Sequence, residues 1–494
     1  MERLPRSSCR LFDLGNQLPY ARGQGLMRGD GVASLSPKTP NSVLRKAVFA
    51  AGVVCALLSY AMPAWAQGDM GLLRDTETEE MLRSYETPLA RAAGLNPVPK
   101  VWLIGDDEIN AFASYGDGGE NIFIFSGILL WLHTPNELIG VMAHETGHIS
   151  AGHLSRGSYG IKKAMIPMLL SMVVGLGAMI AGAGAAGEAI MRIGQAYAEG
   201  QFAAFTRVQE STADQIGAKL LLATHQSPMG MYHTFQRLAN DEAMGAYKID
   251  KFGVNHPVGQ DRVFDLNDMV EASPYREVQD SPESLHTFQM VQAKLGGFVL
   301  PVKDALNRYP ESDTSEPARY AHAMIYLRQP NLQKALSSIN GLIVEEPNNP
   351  YFYEVRGQIY LSMAKPTQAI PDYQKSVSLR PQAPQLRLAL ATAQLATEDA
   401  TLAQPALANL KAAILVEDDD VFTWYEAAQA YSMLKNEPMA DLSTSEAWYN
   451  AGDMRKAVVF ATRARAKLPQ GSADWQRAND IIDAAAPLVP QQRK

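Results

Sequence analysis

Cysteine is nearly absent from this 494-residue chain: there are two, Cys9 and Cys55, and both precede the pattern Ala64-Trp65-Ala66. That A-x-A pattern follows Arg45-Lys46 and the apolar run Ala47 to Tyr60, the layout of a signal peptide cleaved near Ala66. Cys55 follows Val54, where a lipid-anchored site needs a small residue. A mature protein starting near Gln67 has no thiol and no disulfide, which excludes a disulfide-stapled fold and suits an oxidising compartment. Basic charge is also short, with 44 Lys and Arg against 52 Asp and Glu. Residues 1–66 hold eight of the basic and three of the acidic groups, so without them the net charge is −13. Such acidity argues against nucleic acid as a partner. The polar leader ahead of Arg45 is long for a signal peptide, and Met27 offers an alternative start.

His144-Glu145-Thr146-Gly147-His148 has the form HExxH and follows the largely apolar run Glu137 to Ala143. On a helix, residues four apart share a face, so His144 and His148 can offer two imidazole nitrogens to one zinc ion, with Glu145 about a quarter-turn away. A carboxylate there can take a proton from water made acidic by the metal and hand it to a leaving amine, which is the chemistry of peptide hydrolysis. The competing reading is two surface histidines on an ordinary helix. The apolar run and the small Ala143 and Gly147 indicate a buried helix instead, whose polar groups need a reason that a metal supplies.

A catalytic zinc has three protein ligands and one open position, so a third donor must come from elsewhere. His153 lies nine residues after His144, near the opposite face of a continuing helix, and is expected to be a helix-end or packing residue. Glu210 is the stronger candidate. Glu210 and Asp214 are four apart on a second expected helix and can face one site, Glu210 as ligand and Asp214 as acceptor of a ligand histidine's outer N–H. Their competing reading is an exposed acidic pair; the small Ala213 and Gly217 favour close helix packing and burial.

HExxH followed by ExxxD, preceded by Asn110-Ala111-Phe112-Ala113 and Ser126-Gly127-Ile128-Leu129, resembles the zinc peptidase family that includes the CAAX prenyl proteases and the heat-shock membrane protease HtpX. The resemblance covers roughly residues 75 to 275. It implies one Zn2+ held by His144, His148 and Glu210, catalysis by Glu145, and a proton-donor role for Asp214 beside the outer-partner role above. Asn255-His256-Pro257 reads on its own as a loop histidine before proline. In the periplasmic branch of the family a histidine so placed fills the fourth zinc position and holds the enzyme shut, or stabilises the oxyanion once withdrawn.

Asn121-Ile122-Phe123-Ile124-Phe125 is rich in β-branched and aromatic residues and is expected to be a strand, either an edge beside the cleft on which substrate adds or a core strand. Between Lys163 and Glu188 a charge-free Gly/Ala/Met stretch is long enough to span a bilayer. A single crossing is excluded, because His148 and Glu210 lie on either side of it and must reach one metal. The stretch is expected to pack within the soluble protein, with peripheral membrane contact through 164–187 as the alternative. Beyond residue 300, Ala323, Ala335 and Pro347 recur 34 residues later as Gly357, Ala369 and Pro381, a period that resembles tetratricopeptide repeats. Ala391 and Ala403 continue the register before it slips, and Gly452, Ala457, Ala464 and Pro469 recover it.

The expected fold is mainly α: a leader and signal peptide over 1–66, a zincin-like α+β metalloprotease domain over 67–300, and an α-helical tetratricopeptide-repeat array over 301–494. Together these parts resemble periplasmic members of the family, which implies an endopeptidase, also a chaperone, acting on misfolded or assembling outer-membrane proteins beside the β-barrel assembly machinery. The alternative is a repeat-based chaperone or binding protein with a closed, mainly structural zinc site, against which intact Glu145 argues.

Overall fold

The computed structural model describes residues 8–10, 71–116, 119–154, 169–172, 174, 184–243, 256 and 259–488. The signal-peptide pattern and most of 164–187 lie outside them. Within that stretch Leu169, Leu170 and Val174 are exposed and Met172 is half-buried. No helix among the described residues is long and apolar enough to cross a membrane.

Five strands form one sheet: β1 (Ser8–Arg10), β2 (Leu72–Arg74), β3 (Lys100–Ile104), β4 (Ala111–Gly116) and β5 (Gly119–Phe125), in the order β1-β2-β3-β5-β4. β5 runs parallel to β3 and antiparallel to β4. The segment Asn121–Phe125 is thus an interior strand and not an edge. Its unbroken apolar run is buried at every position from Asn121 to Phe125, as a strand covered on both faces must be. β4 is the edge on that side; it begins at buried Ala111 and ends on exposed Tyr115 and Gly116.

Helices cover the sheet. α1 (Thr76–Ala92) is capped by Asp75, and α2 (Ser126–Trp131) follows β5 directly. α3 (Pro135–Ser150) starts at a capped end: Thr134 Oγ1 accepts from Glu137 N–H, while the Glu137 carboxylate accepts from N–H of His133, just before the cap, at 2.6 Å. It ends two residues before Gly152, whose φ of +67° reverses the chain. α3 packs on α4 (Gly184–Ala223) and α5 (Met229–Ala243). The approach to α4 is close because small residues face one another: a Cβ on Gly147 would lie 2.6 Å from the Ala213 carbonyl oxygen. α6 (Gln260–Glu271) closes the site side, and α7 (Pro282–Val299) and α8 (Val302–Arg308) lead into the repeats.

The repeat helices are α9 (Glu316–Arg328), α10 (Leu332–Glu345), α11 (Pro350–Ser362), α12 (Pro366–Leu379), α13 (Pro384–Leu395), α14 (Ala403–Ile414), α15 (Val421–Met433), α16 (Glu437–Asn450), α17 (Met454–Lys467) and α18 (Ala473–Ala485). α9, α11 and α13 start 34 residues apart; α15 starts 37 after α13, which places the slip at three residues. Ala323, Ala335, Ala369, Ala391, Ala403, Ala457 and Ala464 are buried where helices meet. Pro347, Pro381 and Pro469 each follow a helix end by two residues. Gly452 instead forms a turn, at φ +84°.

α7 belongs to two cores. Phe288, Val291 and Leu295 pack with the sheet helices, while Met290 and Ala293 pack with Tyr320, Met324 and Phe352 of the repeats. Between these faces Lys294 is fully buried, bonded to Asp75 and 3.4 Å from both Glu77 and Glu354. Tyr320 donates to Glu77 at 2.8 Å, Tyr351 donates to Glu80 at 2.7 Å, and Arg74 pairs with Glu417 at 2.7 Å. The first helices of successive repeats therefore hold the start of α1.

Candidate active site

The helical period places His144 and His148 on one face of α3, as read from the motif, and α4 brings Glu210 to the same point. His256, far along the chain, arrives from the segment before α6. One ligand atom from each of these four buried residues lies within 4.8 Å of the others. His144 Nε2 is 3.1 Å from His148 Nε2, 3.3 Å from His256 Nδ1 and 3.3 Å from Glu210 Oε2. Glu210 also lies 3.4 Å from His148 Nε2 and 3.2 Å from His256 Nδ1.

Those separations fit a metal. Ligand bonds of roughly 2.0 Å in a tetrahedron put the donors about 3.3 Å apart, so three imidazole nitrogens and one carboxylate turned on one point are spaced to hold a cation. The electrostatics agree. Burial lowers the His144 pKa, but the hydrogen bonds to Asp214 and Glu210 outweigh it and raise the value to about 9. Burial holds His148 below its ordinary value. Burial works against the Glu210 charge, yet the His256 charge and the bonds from His144 and His148 push its carboxyl far below the usual range. The pocket thus favours positive charge at its centre.

Behind the donors lies a second set of side chains. Asp214 Oδ1 is 2.9 Å from His144 Nδ1, the nitrogen turned away from the cluster. Arg262 grips Asp214 through Nε at 2.7 Å and Nη2 at 2.8 Å, and reaches Glu210 at 3.1 Å. Burial opposes the Asp214 charge, but the bonds from His144 and Arg262 keep its pKa depressed. Phe235 of α5 stands edge-on to His144 at 5.2 Å, with the Arg262 guanidinium over its ring. Glu145 is buried, and neither of its oxygens has a hydrogen-bond partner among the described residues. Its nearest charged neighbour is His256 Nε2, at 3.6 Å.

Two participants, Arg262 and Glu86, were not assigned from the sequence, and a third, His153, was expected only as a helix-end or packing residue. Arg262 lacked a visible partner, because Asp214 is 48 residues away. Glu86, on α1, lies 3.0 and 3.1 Å from Thr146 Oγ1 inside the motif; within a charged amphipathic stretch it resembles a surface residue. His153 does not continue α3 to its far face. The turn at Gly152 folds it back, and its Nδ1 sits 3.0 Å from His148 Nδ1.

The sequence model of Peptidase family M48 matches residues 76–270. Metalloprotease LoiP of Escherichia coli is 30% identical over 192 residues, covering 38% of this chain and 69% of LoiP. The Beta-barrel assembly-enhancing protease of Escherichia coli is 25% identical over 427 residues, 84% of this chain and 85% of the relative. Its Yersinia pestis counterpart is 24% identical over 400 residues, 80% of each. The matched span runs from the start of α1 through both motifs to the Arg262 helix and so contains the site described above, and the chain belongs to peptidase family M48 and is a metalloprotease.

Proposed function

We propose that this protein is a zinc-dependent endopeptidase of the periplasm that degrades misfolded or stalled outer-membrane proteins and assists their assembly. The observation that carries the zinc assignment is the set of donor separations of 3.1–3.4 Å around one point. His144, His148 and Glu210 would hold the ion, with His256 as fourth donor. When bound, zinc supplies a Lewis acid that polarises the scissile carbonyl and acidifies water.

The chain's own residues do the rest. Glu145, buried with both oxygens unbonded among the described residues, accepts the proton of the attacking water and passes it to the leaving amine. Asp214 orients His144 from behind, and its two bonds to Arg262 suit it to that role better than to proton donation. β4, an edge strand among the described residues, offers backbone groups on which an extended substrate segment can pair. His256 occupies the place the water needs, so it must withdraw before turnover.

The substrate class rests on the relatives named for β-barrel assembly, on the signal-peptide pattern and on the repeats, which suit docking on the β-barrel assembly machinery or its clients. Because α1 already occupies Tyr320 and Tyr351, and Lys294 of α7 occupies Glu354, that docking uses the remaining repeat surface. A chaperone with a permanently closed site is the second reading, favoured by His256 in the donor set; the unbonded Glu145 carboxylate opposes it, since a structural site has no use for one.

Metal analysis of the purified mature protein should give one zinc per chain, and it should cleave an unfolded protein. Glu145→Gln should keep the zinc and lose cleavage; retained cleavage would sink the assignment. The same variant should trap outer-membrane clients in cells.

A further inference from the structure

We propose that His153 is a positioning residue that fixes the hydrogen and the orientation of His148. This rests on the reading of His144, His148 and Glu210 as metal ligands. α3 ends at Ser150, and Gly152 at φ +67° turns the chain back. The turn sets the His153 ring beside that of His148, centroids 5.1 Å apart and planes at 69°. Both residues are buried.

The chemistry follows from which nitrogen faces which neighbour. His148 Nε2 points into the donor cluster, 3.1 Å from His144 Nε2. An imidazole that gives its Nε2 lone pair to a metal carries its hydrogen on Nδ1. His148 Nδ1 is 3.0 Å from His153 Nδ1, so it donates there, and His153 accepts with its own hydrogen on Nε2. The two ligand histidines are thereby held from behind by different groups: His144 by the Asp214 carboxylate at 2.9 Å, His148 by a neutral imidazole. A neutral acceptor fixes ring orientation without adding another negative charge to a pocket that already holds Glu145, Glu210 and Asp214. The turn at Gly152 is what makes this possible, since a helix continued through residue 153 would carry the ring away.

The test is zinc affinity of the full mature protein, measured by competition with a chromogenic chelator, alongside the unfolding temperature of the metal-free form. His153→Leu removes the acceptor, and His153→Asn returns an oxygen near the Nδ1 position. His153→Leu should bind zinc about 10- to 100-fold more weakly, with the metal-free unfolding temperature nearly unchanged, and His153→Asn should recover most of the loss. Native affinity in His153→Leu overturns the proposal. So does equal weakness in both variants, or a lowered metal-free unfolding temperature with affinity intact, either of which makes His153 a packing residue. Absence of zinc from the unaltered protein would instead overturn the ligand assignment beneath it.

Discussion

Gly147 and Ala213 meet backbone to backbone: a Cβ added to Gly147 would stand 2.6 Å from the Ala213 carbonyl oxygen and 3.1 Å from its Cα. Each is next to a working residue, Gly147 to His148 and Ala213 to Asp214. The distance between the histidine helix and the glutamate helix is therefore set by the absence of one side chain. Gly217 repeats the contact from the other side, its Cβ position 3.1 Å from the Ala143 carbonyl oxygen.

Gly147→Ala should force α3 and α4 apart. Overpacking of this kind costs about 1–3 kcal/mol, but the larger effect falls on the donor set, because Glu210 would retreat from His144 and His148. Zinc affinity and proteolysis should both fall at least about tenfold, the size expected when outer support of a metal site is lost. Chelator competition and an unfolded-protein cleavage assay check this; full zinc affinity in the variant would show that the helices tolerate the shift.

Glu86 is expected to be a neutral acid in the folded protein. Thr146 Oγ1 has one hydrogen to share between the Met142 carbonyl at 2.7 Å and the Glu86 carboxyl at 3.0 Å, so its bond offsets little of what burial costs an ionised Glu86. Burial raises the Glu86 pKa from 4.5 to about 8; the Thr146 bond works against this and the nearby Glu145 charge adds to it. A group whose folded pKa is raised stabilises fully below its unfolded pKa and loses that contribution as pH rises through the folded one. Stability should therefore decline between about pH 5 and pH 8 from this group. Glu86→Gln, neutral at all pH, should decline less over the same window in urea unfolding. Parallel curves for the two proteins would place the charge elsewhere.

Lys294 joins the peptidase core to the repeats with no exposed surface and three carboxylates around it. Burial works against its charge, but Asp75, Glu354 and Glu77 together raise its pKa well above the ordinary value. Lys294→Met keeps much of the volume and leaves those carboxylates uncompensated. The expected cost is about 3–5 kcal/mol, read as a lower urea midpoint. Because α1 is gripped by Tyr320 and Tyr351 at one end and touches Thr146 through Glu86 at the other, proteolytic nicking between α7 and α9 should also increase. A variant as stable as the native protein would show that protonation of Glu77 and Glu354, already raised to about 7 and about 8, absorbs the loss.

Legibility in the sequence followed periodicity. His144, His148, Glu210 and Asp214 could be paired because four residues make about one helical turn, and the repeats because helices returning every 34 residues must bury small residues at the same positions. Where the chain breaks period, less could be read. Gly152 turned His153 back toward His148, and the three-residue slip before α15 ended the register. Asn121–Phe125 was ambiguous because an apolar run does not say whether both its edges are paired. Glu86 and Arg262 were opaque for another reason: their meaning lies in partners 60 and 48 residues away, and no local pattern encodes that distance.

His256 is the fourth member of the cluster, and its removal separates a lock from a catalytic group. With His256→Ala, three donors remain and the space beside Glu145 opens to water and substrate. Basal cleavage of an unfolded protein should rise several-fold, while zinc should be lost faster to a chelator if His256 is a fourth donor. The two effects pull on activity in opposite directions, so the assay should be run with zinc in excess. Raised cleavage under saturating zinc identifies His256 as the lock. Unchanged cleavage would leave it a loop residue near the site, and reduced cleavage would make it a group that stabilises the oxyanion once withdrawn. Faster zinc loss is expected only if His256 donates to the metal, so affinity and turnover together decide between these roles where either alone does not.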